Sequence, residues 1–67
     1  MQLTVNGDSR TFTAPIATVA DLLRELAVEG KRIAVERNGE IVPRSLYAET
    51  RVAGGDKLEI VGAVGGG

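Results

Sequence analysis

Only one stretch of this 67-residue chain carries an apolar helical period. In "TVADLLRELAVEG", Val19, Leu22, Leu23 and Leu26 fall at i, i+3, i+4 and i+7 and form a single stripe. Thr18 is placed to cap the start, with Asp21 three residues on as a variant of the capping box. Gly30 stands where a left-handed residue would end the helix, and Arg24, Glu25 and Glu29 take the wet side. One helix with one stripe needs one apolar surface to lie on, and everything else in the chain reads as strand or turn. A sheet wrapped over a single helix satisfies these constraints with a small core.

The strands follow from alternation and turn chemistry. "QLTV" places Leu3 and Val5 on one face. Asn6-Gly7 is a strong hairpin signal because both residues tolerate positive φ, and "RTFT" returns with Phe12 inward. Pro15 ends the pairing. After the helix, "RIAVER" turns Ile33 and Val35 to the core, Asn38-Gly39 makes a second hairpin, and "EIV" answers until Pro43. "RSLYAET" reads as a helical turn or loop anchored by Leu46. "AGGD" then leads into "KLEIV", with Leu58 and Ile60 inward and Lys57, Glu59 and Val61 outward. The order is β-β-α-β-β-β, an α+β domain over residues 1–61 with a glycine-rich tail at 62–67.

At this length a domain buries only roughly 60% of its unfolded surface, so the core must be economical. The chain is 43% hydrophobic with only Phe12 and Tyr47 aromatic, which leaves aliphatic packing to build it. Eight basic and nine acidic residues are mixed along the chain, for a formal charge of -1. There is no basic stripe and no interleaved aromatic platform, which argues against nucleic acid. No stretch has the length of a membrane span, and "MQLTVNG" lacks the charged and apolar regions of a signal peptide. A soluble cytoplasmic protein is expected. Absence of Cys and His removes disulfides, side-chain thiols, the commonest metal ligand and the commonest general base. No bound metal or cofactor and no catalytic residue are expected.

The chain resembles the ubiquitin-like β-grasp family, and within it the sulfur carriers of thiamine thiazole biosynthesis (ThiS). Four pieces carry the resemblance: the opening strand with its Asn-Gly turn, "TVADLL", "NGEIVPRS", and "GGDKLEIVGAVGGG". It implies a mixed sheet of about five strands on one helix. It also implies that the C-terminal carboxylate is the working group: a ThiF-type partner adenylates Gly67 with ATP, and a persulfide donor supplies sulfur. The resulting thiocarboxylate serves a ThiG-type thiazole synthase. Gly65, Gly66 and Gly67 would enter the partner's tunnel, and the free protein would be a monomer, a co-substrate with no activity of its own. Gly65 departs from the family, which tolerates various residues there, but the terminal pair is intact.

The chemistry agrees with this assignment of labour. A terminal carboxylate, with a pKa near ~3.5, is a poor electrophile until it carries a leaving group. The chain has no GxxxxGK[ST] loop and no dinucleotide fingerprint, so the nucleotide belongs to a partner. Residues 62–67 reach roughly 20 Å when extended, and glycine passes through narrow channels. Ordering them costs about 1–2 kcal/mol per residue, which calls for a docking surface. Ala34, Val61 and Glu59 should share the open sheet face with Thr4 and Thr11, a face that is either ordinary surface or that docking site. Arg44 either ties down a turn or meets a partner. Three other readings stay open: the small subunit of molybdopterin synthase, a ubiquitin-like modifier of lysines, and a plain binding module with an incidental tail.

Overall fold

The computed structural model describes residues 1–28 and 33–62. Strands β1 (Gln2–Val5) and β2 (Asp8–Thr11) form the first hairpin, and helix α1 (Val19–Glu25) follows. Strands β3 (Ile33–Arg37) and β4 (Glu40–Val42) form the second hairpin. A 3-10 turn at Arg44–Leu46 then leads to β5 (Lys57–Gly62). The sheet order is β2-β1-β5-β3-β4, with β1 and β5 parallel and the other neighbours antiparallel. This is the expected β-grasp arrangement, and it puts the last strand in the middle.

Both hairpins turn as their sequences dictate. Asn6 and Gly7 have φ of 51° and 86°, and Asn38 and Gly39 have 52° and 88°, the double left-handed conformation that two-residue turns require. Such a turn fixes register. Val5 faces Asp8 in the first hairpin and Arg37 faces Glu40 in the second. Leu3, Val5, Val35, Val42 and Leu58 consequently lie on one face and meet Val19, Leu22 and Leu23 of the helix. Phe12 is buried although β2 ends one residue before it. Its position is held by Met1, whose ammonium donates to Phe12 O at 2.9 Å while Phe12 N donates to Met1 O at 2.8 Å.

Every donor in the first turn of α1 has an acceptor. Thr18 and Asp21 form the reciprocal capping box, so Asp21 N is satisfied by Thr18 Oγ1. The two preceding donors go elsewhere: Val19 N to Thr50 O at 2.9 Å and Ala20 N to Tyr47 O at 3.0 Å. The segment after β4 thus earns its place by closing the helix N-terminus. Its anchor is not Leu46, which is 41% exposed. Tyr47 packs against the core instead, because the 3-10 turn rotates Leu46 outward and brings its neighbour in.

The helix also ends earlier than its apolar period suggests. Leu26 is the C-cap and Ala27 takes the left-handed position with φ 59°. Val28 N donates to Leu23 O and Ala27 N to Arg24 O, the paired bonds of a Schellman motif. Val28 then packs on the core together with Leu26, and this apolar contact outweighs the strain of a left-handed alanine. Leu26, Ile33 and Ile60 are half-buried at the border of the core. Gly30 and Glu29 lie outside the described residues.

At the other end of the sheet, Asp56 is buried at the entry to β5. Its carboxylate accepts from Arg37 Nε at 2.7 Å, Asn38 Nδ2 at 3.1 Å and Ala53 N at 2.8 Å. Burial alone would raise its pKa. The Ala53 N–H, the Asn38 amide and the Arg37 guanidinium outweigh that and hold it below the ordinary aspartate value.

Two outcomes follow from these ends. Ala27→Gly should stabilise the protein by about 0.5–1 kcal/mol, since glycine removes the left-handed strain but adds unfolded-state entropy; a urea melt measures it, and a destabilised variant would mean the helix stops elsewhere. Because the folded pKa of Asp56 is depressed, its contribution to stability is present above the unfolded value of about 3.9 and disappears as pH falls from there through the folded value. Asp56→Asn should therefore be less stable than the parent at pH 7, with the gap narrowing below pH 4. Parallel stability–pH curves would contradict this.

Candidate functional site: the open sheet face and the end of β5

The face of the sheet turned away from α1 has no element of the described residues packed on it. Register builds it row by row. Ala34 of β3 faces Val61 of β5, and in the next row Glu36 of β3 lies between Glu59 of β5 and Ile41 of β4. Val61 is 59% exposed and Ile41 65%. The result is an apolar surface crossed by two carboxylates directly opposite each other, an arrangement that repels across a strand pair and does nothing for the fold.

Ala34, Val61 and Glu59 are brought together here as expected, with Thr4 and Thr11 farther along the same face through β1 and β2. Arg44 is not with them. It begins the 3-10 turn and lines an open groove with Ala20, Leu23, Arg24 and Tyr47 on the helix side. Ile41 and Glu36 were not singled out from the sequence, although the two-residue turn at Asn38-Gly39 contains the signal. Once Arg37 faces Glu40, Glu36 must face Ile41, and Val42 takes the inward place beside Val35.

Of the two neighbouring strands, only β3 flanks the last described part of β5. Its pairing with β1 stops at Val5–Leu58, whereas its pairing with β3 continues to Ile33–Gly62. The strand thus includes Gly62, one residue more than the alternation of "KLEIV" gives. Gly65, Gly66 and Gly67 lie outside the described residues. Among the described residues there is no cluster of acidic or other ligating side chains arranged for a metal ion, and no helix is long and apolar enough to cross a membrane.

Residues 3–67 match the model of the ThiS family. A thiazole synthase from Paramagnetospirillum magneticum is 55% identical over all 67 residues, and the chain spans only 20% of that protein's length. The sulfur carrier protein ThiS of Bacillus subtilis is 38% identical over 65 residues, which cover 97% of this chain and 98% of that one. The crystal structure of the thiamine biosynthesis protein ThiS from Geobacter metallireducens has the same fold, with a TM-score of 0.87, 38% identity and 100% coverage of both chains. With this sequence match running from Leu3 to Gly67 and the same five strands around one helix, the chain belongs to the ThiS family.

Proposed function

We propose that this protein is a sulfur carrier of thiamine biosynthesis whose working group is the α-carboxylate of Gly67. The observation that carries the reading is the family match through Gly67, supported by the 38% identity to a sulfur carrier along nearly its whole length. A carboxylate oxygen attacks the α-phosphorus of ATP in a ThiF-type partner and releases pyrophosphate. A persulfide sulfur displaces AMP from the acyl-adenylate, and thiol cleavage of the acyl disulfide leaves the thiocarboxylate. The chain has no Cys, so persulfide and thiol both come from other proteins or small molecules. A thiazole synthase consumes the sulfur; the relative that contains this module within a thiazole synthase supports that acceptor. The chain contributes no catalytic side chain of its own and acts in the cytoplasm as a monomer.

Docking falls to the open face. Ala34, Ile41 and Val61 supply apolar area, while Glu36 and Glu59 favour a partner that brings a basic side chain to their row. That contact offsets the ordering of the arm. Arg44, on the other side of the domain, is a contact for a second partner surface or a structural residue of its turn.

Val61→Asp should remain folded, since this side chain is exposed, and should lose saturation in pyrophosphate release by the adenylating enzyme. Gly67→Val should dock normally but resist modification, so it should inhibit the parent competitively where Val61→Asp competes poorly. Equal inhibition by the two would remove Val61 from the interface. Intact mass of the parent from a host with sulfur-transfer enzymes should show the sulfur-for-oxygen increment. An increment of a whole protein would instead favour a modifier.

A further inference from the structure

The side chain of Asn6 does a task that its turn does not require. A two-residue hairpin turn needs a left-handed residue at this position, and glycine or aspartate would serve as well. Beyond that, Asn6 Oδ1 accepts from Ile60 N at 2.7 Å and Asn6 Nδ2 donates to Ile60 O at 3.0 Å. Its backbone N–H also donates to Leu58 O at 2.9 Å, the last rung of the β1–β5 ladder. The carboxamide therefore occupies the place of the next peptide group of β1, donating and accepting as a strand would. Only an uncharged amide on a short stem offers both functions at that reach.

The location gives the contact meaning. β1 ends at Val5 while β5 runs to Gly62, so Ile60 is the last residue of β5 with partners from both sides among the described residues. Without Asn6, two-sided support would stop at Leu58. Asn38, in the equivalent position of the second hairpin, accepts from Lys57 N at 2.9 Å and grips the opposite end of the same strand. Two turn asparagines, 32 positions apart in sequence, thus bracket β5.

We propose that Asn6 is a positioning residue for the reactive terminus: its amide clamp on Ile60 carries the support of β5 on the β1 side two residues beyond Leu58, and so steadies the strand from which the chain runs on toward Gly67. The inference rests on the sulfur-carrier reading. A clamped root shortens the stretch that must be ordered before the terminal carboxylate meets ATP, and it fixes the direction of departure. Docking, which uses the opposite face residues Val61, Ala34 and Ile41, does not depend on it.

The test is Asn6→Gly, which keeps the left-handed turn and removes the amide, beside Asn6→Asp, which keeps an acceptor for Ile60 N but sets a carboxylate against Ile60 O. In Asn6→Gly, hydrogen exchange at Ile60 N should accelerate at least tenfold while Leu22 and Val35 keep their protection. With a ThiF-type enzyme and ATP, kcat for pyrophosphate release should fall about tenfold, the order of effect expected for ordering one further backbone residue. KM for the carrier should stay within twofold. Asn6→Asp should lie between parent and glycine variant in both readouts. Unchanged exchange at Ile60, unchanged kcat, or a change confined to KM would each overturn the positioning role. A parent that is not adenylated at all would instead sink the carrier reading itself.

Discussion

A central strand needs hydrogen-bond partners along both sides, and β5 outruns the strand on one of them. The remainder of the structure is organised around that mismatch. β1 covers only the first part of β5 in parallel, β3 pairs with it from Leu58 to Gly62 in antiparallel, and turn asparagines complete what the strands leave open. The helix lies across the same strand from below, since Leu58 sits in the core with Leu22 and Val19. The chain's latest element in sequence is therefore the one that its earlier elements converge upon. Parallel pairing of β1 with β5 closes the longest loop in the domain, and such a contact forms against the greatest entropy of closure.

The regular parts of this fold were written in local chemistry. Asn-Gly at two places set both hairpins, Thr18 with Asp21 set the helix start, and alternation set which side of each strand faces inward. What escaped were positions decided by tertiary contacts. Ala27 is a poor residue for a left-handed conformation, so no local rule stops the helix there. The stop comes from Val28 finding the core. Leu46 outranks Tyr47 in hydrophobicity, yet the 3-10 turn and the need to satisfy Val19 and Ala20 N–H reverse their roles. The dual work of Asn6 and Asn38 was equally hidden. A turn signal explains either asparagine completely, and nothing local says that the side chain of Asn6 will meet a strand 54 residues away or that of Asn38 one 19 residues away.

The surface proposed for docking was partly legible for the same reason. Alternation found Val61, Glu59 and Ala34, because one strand fixes one parity. Joining them to Ile41 and Glu36 required the register between strands, which two-residue turns supply and which reading strands singly does not. Arg44 belongs to the "VPRS" stretch beyond β4, where no strand parity applies, and it lies on the other side of the domain. The two edges of the sheet carry a different message. β2 is exposed along its whole length with Asp8 and Arg10, and β4 is three residues long and closed by Pro43. Both are poor templates for adding a strand, which agrees with the proposal that docking uses the face.

The bond between the first residue and Phe12 bears on how such a module can be built into larger proteins. Since β1 and β5 run parallel, Met1 and Gly62 lie at opposite ends of the sheet. The nitrogen of Met1 makes its bond as a donor, and a peptide N–H at the same place could donate equally well. Polypeptide joined ahead of Met1 would thus keep this bond and enter at the end of the sheet farthest from Gly62. A fusion made there would leave free the opposite end of the sheet, where β5 reaches Gly62.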